Sequence, residues 1–117
     1  MNPSEVSQSE RLDRAFLALA DPTRRAIIDR LIRQPTAVSA LAAPLGLSLP
    51  AIGHHLQTLE RGGLIRSSKA GRVRTVSLNP KAVSNVERWI AVRRRHLERR
   101  LDLLQAFLDA REGQGHR

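Results

Sequence analysis

Ser48, Ala51, His54, Gln57, Thr58 and Arg61 recur at helical spacing and place small, polar and weakly basic side chains on one face of a helix. Side chains this short let a helix lie deep in the major groove of a duplex, where glutamine or serine can bond base edges and alanine can touch a thymine methyl. Other chemistries lack their parts. The chain has no cysteine, which excludes disulfides, thiolate metal sites and thiol redox switches. His54 and His55 are neighbours about 100° apart on a helix and cannot converge on one metal. No HExxH, glycine-rich phosphate loop or nucleophile setting occurs, so no enzyme and no cofactor is expected.

The groove-facing side chains need a scaffold, and the flanking sequence supplies one. Val38 to Gly46 reads as a short helix closed by a proline-then-glycine turn, and the Ser48 hydroxyl can cap a second helix from Leu49 to Arg61. Ile52, Leu56 and Leu59 form the apolar stripe of that helix. Two helices across a tight turn make a helix-turn-helix. Gly62-Gly63 ends the second helix, and Leu64–Lys69 with Val73–Leu78 then reads as two strands around an Ala70-Gly71-Arg72 turn, a basic hairpin or wing.

Upstream, Leu12, Phe16 and Leu19 give a first helix one apolar stripe. Asp21-Pro22 starts another helix with a cap and a proline, and Ile27, Ile28, Leu31 and Ile32 are its expected core face. Arg24 and Arg25 in its first turn oppose the helix dipole, a penalty that a phosphate would reverse; they are equally readable as solvated arginines near Asp21 or Asp29. Gln34-Pro35-Thr36 breaks the chain, and Asn79-Pro80 starts a long last helix. There Val83, Val86, Ile90, Leu97, Leu101, Leu104 and Leu108 form a heptad-like seam interrupted near Arg93 and Arg94. A domain of 117 residues has little core left for so long a stripe, so it reads as a dimer interface shared with Leu12 and Phe16 of the first helix; the alternative is packing on the chain's own core. Arg94 and Arg95 can pair with Glu98, and Arg99 with Asp102.

Composition agrees with one mostly helical domain over residues 9–112, with flexible ends at 1–8 and 113–117. Phe16, Trp89 and Phe107 are the only aromatics, so the 41% apolar content must pack as leucine, isoleucine, valine and alanine. The formal charge of +9, nearly all from arginine, points to an anionic partner. No apolar run approaches the roughly 20 residues of a membrane span, and no secretory pattern opens the chain, so a cytoplasmic protein is expected.

The chain resembles the ArsR-type winged helix-turn-helix repressors from about Arg14 to about Leu108. The resemblance rests on Leu19-Ala-Asp-Pro-Thr-Arg-Arg-Ala-Ile-Ile28, on Leu47-Ser-Leu-Pro-Ala-Ile-Gly-His-His-Leu56, and on Leu59-Glu-Arg-Gly-Gly-Leu-Ile65 followed by Gly71-Arg-Val-Arg74. It implies a fold that is mostly α with a small β-hairpin, dimeric through the first and last helices. It also implies base reading by Ser48, Pro50, Ala51, Gly53, His54 and Gln57, with His55 and Leu56 turned inward. Phosphate contacts are expected from Arg24, Arg25, Thr58, Arg61, Lys69, Arg72 and Arg74, and no acid interrupts the charge between Glu60 and Leu78. Gly53 stands where the family usually has serine. Glycine in a helix costs about 1 kcal/mol relative to alanine, so it is either tolerated drift or a point of close approach to DNA. His54 replaces a longer polar or basic residue.

Many members of this family release DNA when metal binds cysteines in the helix-turn-helix or His and carboxylate pairs on the last helix. The first site is impossible here, and His96 stands alone among Arg93, Arg94, Arg95, Arg99 and Arg100, so no metal site is expected. The effector is left unnamed. The reading is a homodimeric repressor that occupies an inverted repeat in double-stranded DNA, its recognition helices about 34 Å apart. The alternative is a winged-helix protein-interaction module that reads no DNA sequence.

Overall fold

The computed structural model describes residues 7–115; residues 1–6 and 116–117, which belong to the expected flexible ends, lie outside it. The chain divides into two compact units, one ending at Asn85 and the other beginning at Val86. The first contains α1 (Gln8–Leu19), α2 (Pro22–Arg33), β1 (Thr36–Ala37), α3 (Val38–Ala42), a 3-10 turn (Ala43–Leu45), α4 (Leu49–Arg61), β2 (Ile65–Ala70), β3 (Val73–Leu78) and the start of α5 (Pro80–Gly115). Its α5 runs three residues into the stretch expected to be a tail.

Every α-helix start except that of α3, which follows Ala37, is set by a local side chain. Ser7 Oγ accepts from the Glu10 amide at 3.1 Å, Asp21 Oδ2 from Arg24 at 3.0 Å, and Ser48 Oγ from Ala51 at 3.3 Å. These satisfy amides that a helix leaves without intrahelical partners. Asn79 does more: its Oδ1 accepts from the Lys81 amide, while its Nδ2 donates to the Gly63 carbonyl at 2.9 Å. It thereby ties the start of α5 to the turn that ends α4. Gly46 closes the helix-turn-helix corner at φ 67°, a left-handed conformation that costs glycine little.

The core of this unit is Ile27, Leu31, Leu41, Ile52, Leu56, Leu59, Leu64, Ile65 and Val76, joined by Ala15, Ala18 and Ala42. Full burial of each large aliphatic contributes roughly 1.5–3 kcal/mol. One expected face is corrected. On α2, Ile28 is half-buried and Ile32 is 65% exposed, because α1, α4 and β3 cover only the Ile27–Leu31 side. On α1, the buried positions are Ala15 and Ala18, with Leu12 and Leu19 half-buried and Phe16 at the surface. The small residues let α4 come close: a Cβ on Gly62 would stand 2.9 Å from the Arg14 carbonyl oxygen and 3.1 Å from Ala18 Cβ.

The sheet has three antiparallel strands in the order β1-β3-β2, not a hairpin alone. Thr36 pairs with Val76 and Ala37 with Thr75, while β2 and β3 run in register from Ile65↔Leu78 to Ala70↔Val73. The extra strand anchors the wing to the segment between α2 and α3.

Candidate nucleic-acid interface

With Ile52, Leu56 and Leu59 buried, the opposite line of α4 is Pro50, His54, Gln57 and Arg61, all exposed. Ala51, Gly53 and Thr58 lie half-buried on its flanks. The expected reading face is therefore brought together on one helix, with unequal shares. Ser48 Oγ is engaged as the cap, and Thr58 Oγ donates to the His54 carbonyl at 3.4 Å, so neither hydroxyl is idle. Leu49 starts the helix, yet it is 55% exposed.

The wing follows in sequence, and its β2 strand packs on α4. Arg66 Nη2 donates to Asn79 Oδ1 at 2.9 Å, and Ser67 Oγ donates to Glu60 Oε1 at 3.0 Å. The second contact holds the one acid at the end of α4 against the hairpin. Lys69, Arg72 and Arg74 are exposed and form no ion pair among the described residues. Lys69 and Arg74 stand directly opposite each other in the ladder. Like charges opposed across two strands are destabilising, and a nearby polyanion would relieve that repulsion.

Arg24 and Arg25, expected to meet phosphate, are engaged elsewhere. Arg24 Nε donates to the Ala18 carbonyl at 2.6 Å and its Nη2 to Leu17 at 3.1 Å, while Arg25 Nη1 donates to Leu19 at 2.7 Å. The two guanidiniums cap the carbonyl end of α1, where the helix dipole favours positive charge. Asp21 sits at the same corner. The Arg24 amide bonded to its carboxylate is the main cause holding its pKa below the ordinary 3.8, with the nearby Arg24 and His55 charges adding and burial opposing. His55, half-buried as expected from the resemblance, turns its Nδ1 toward Asp21 at 3.9 Å without a hydrogen-bond partner.

Residues 86–115 form a continuous helix whose side chains are exposed from Arg93 to Gly113. Val86 is half-buried, and Ile90, Leu97, Leu101, Leu104 and Leu108 all reach solvent. The expected Arg94–Glu98, Arg95–Glu98 and Arg99–Asp102 pairs do not form. Arg93 instead lies 4.1 Å over the Trp89 ring and Arg95 Nε donates to the Ala91 carbonyl, in keeping with the small worth of exposed ion pairs. Among the described residues no group of three His, Cys, Asp or Glu side chains is placed to hold a metal ion, and no helix is long and apolar enough to cross a membrane.

Residues 19–68 match a family described as a helix-turn-helix domain. The HTH-type transcriptional regulator Rv2034 of Mycobacterium tuberculosis is 47% identical over 68 residues, 58% of this chain and 64% of that protein; the match thus spans just under two-thirds of its length. The crystal structure of an ArsR family transcriptional regulator superposes with a TM-score of 0.72 at 42% identity, covering 80% of this chain and 97% of that one. The solution structure of the homodimeric winged helix-turn-helix DNA-binding domain of a possible ArsR-family regulator from Mycobacterium bovis matches at a TM-score of 0.60 and 25% identity. It covers 86% of this chain and 94% of that one.

Proposed function

This chain belongs to the ArsR family of winged helix-turn-helix transcriptional regulators, non-enzymatic DNA-binding proteins, and from that premise we propose that it is a homodimeric repressor occupying an inverted-repeat operator. The observation that carries the reading is the pairing of an exposed Pro50–His54–Gln57–Arg61 line with a wing whose Lys69, Arg72 and Arg74 have no acidic partner among the described residues. One element offers hydrogen-bonding groups at groove depth, and the other offers charge for the backbone. His54 and Gln57 read base edges, Ala51 and Pro50 line the groove, and Arg61, Lys69, Arg72 and Arg74 hold phosphates.

A twofold pair along α5 sets two recognition helices about one DNA turn apart, ~34 Å, and so selects a palindrome. The apolar seam of α5, open to solvent from Ile90 to Leu108, supports that pairing. A dimer seated on a promoter excludes polymerase, and repression follows from occupancy. The protein works in the cytoplasm, where its DNA is.

The test is binding of the purified protein to the duplex upstream of its own gene and to selected random duplexes, each against a scrambled control at two salt concentrations. Preference for one sequence with affinity falling steeply in salt is the expected result. If selection yields no preferred site, the fold serves instead as a protein-interaction module.

A further inference from the structure

Gly53 has no explanation within the fold. It lies inside α4, where glycine is the poorest choice after proline, and its φ is not in the left-handed region. A Cβ placed on it would meet nothing within 4 Å, so no neighbouring side chain or backbone demands its absence. Gly62, at the end of the same helix, is the contrast: there the Cβ would strike α1. A group that used the space at Gly53 would therefore approach from outside the fold.

What surrounds the missing side chain is specific. Leu49 is one helical turn earlier on the same flank and 55% exposed. Gln57 is one turn later, and His54 is the next residue along the exposed line. Together they border the open space over the Gly53 backbone, with an aliphatic side chain one turn before it and hydrogen-bonding side chains beside and after it, a position we call the notch. On the major-groove edge of a base pair, one common group is apolar and about a methyl in size: the 5-methyl of thymine, which lies beside hydrogen-bonding atoms.

We infer that the Leu49–Gly53 notch takes the 5-methyl group of a thymine in the operator, and that Leu49 and Gly53 are specificity-determining residues. The inference rests on the DNA-reading function proposed above. Leu49 makes the apolar contact, and Gly53 leaves the space for it. Gln57 and His54 are then free to bond neighbouring base edges.

The experiment starts from the preferred duplex and replaces each thymine in turn by deoxyuridine, which removes only the methyl group. Binding is measured for the wild-type chain and for Leu49→Ala and Gly53→Ala. One thymine in each half-site is expected to weaken wild-type binding about fourfold when demethylated, the worth of one buried methyl group. Both variants are expected to bind the thymine duplex several-fold more weakly and to be indifferent to the same replacement. Gly53→Ala is also expected to melt at a higher temperature than wild type, so its loss of affinity cannot come from unfolding. A preferred duplex with no uridine-sensitive position overturns the notch alone, as does sensitivity retained in both variants. Failure of the wild-type chain to prefer any duplex removes the DNA-reading premise and the notch with it.

Discussion

Asp21 shows how one side chain can serve the fold at the edge of a functional surface. Its carboxylate caps α2, and the Arg24 amide bonded to it holds its pKa below 3.8. Folding therefore favours the charged form: this stabilisation is complete above the unfolded-state value and drains as pH falls through the lowered one. Asp21→Ala is expected to lower the urea midpoint at neutral pH, with the gap to wild type closing below pH 3.8. An equal gap at both pH values would show that the charge contributes nothing. The neighbouring arginine gives a second prediction. Because Arg24 bonds the Ala18 and Leu17 carbonyls, Arg24→Ala should destabilise the fold by about 1–3 kcal/mol in denaturant and leave the salt dependence of DNA binding unchanged. Arg72→Ala, in the wing, should leave stability unchanged and reduce the slope of log affinity against log salt by about 2, one phosphate contact being lost in each half-site. The Asp21-Pro22 cap was legible in the sequence because it acts within three residues. The partners of Arg24 were not, because they lie at the end of another helix and only the tertiary fold brings them near.

Among the elements, α4 is the best case for reading local sequence. Its bounds, its Ser48 cap and its Ile52–Leu56–Leu59 stripe all agree with what spacing and capping chemistry predict. β1 is the opposite case. Two residues carry no periodicity, and Thr36-Ala37 becomes a strand only because β3 offers it a free edge. The buried side of α1 was not legible for a related reason: stripes are sought among large residues, whereas α4 packs closely on Ala15 and Ala18. Gly62-Gly63 reads as a single stop signal yet combines two requirements. Gly63 has φ 71°, whereas Gly62 has ordinary helical backbone and is needed for space against α1. Gly62→Ala is therefore expected to destabilise the fold by about 1–3 kcal/mol, since the obstructing atom is backbone and cannot rotate away. Chemical denaturation of Gly62→Ala beside Gly53→Ala should move the midpoint in opposite directions, although the substitution is the same and the helix is shared. Midpoints moving together would mean that helix propensity alone governs both positions.

At the scale of the whole molecule, what must be accounted for is a 36-residue helix with a leucine seam in water. Leu97, Leu101, Leu104 and Leu108 are 58%, 55%, 54% and 44% exposed. Full burial of a leucine contributes about 2 kcal/mol, so covering the exposed half of each gives about 1 kcal/mol. Eight such leucines in a twofold pair give about 8 kcal/mol, a gain of the same order as the roughly 4–15 kcal/mol cost of association. The seam can therefore support a dimer, and the sequence period made it legible. Leu103 and Phe107, exposed on a different face, were not part of that pattern. Replacing Leu101 and Leu104 together by glutamate places four like charges in the paired seam without touching any core residue of the first unit. The double variant is expected to be a folded monomer by light scattering, with the wild-type thermal transition of the winged unit retained. Its affinity for the full palindrome should fall by about 100-fold or more, because the second half-site is no longer bound by a tethered partner, while affinity for an isolated half-site should be unchanged. A variant that remains dimeric would move the interface away from α5, with Leu12 and Phe16 of α1 as the next residues to charge. A monomer that still binds the palindrome at wild-type strength would mean that operator recognition does not depend on pairing, and the inverted repeat would lose its physical basis.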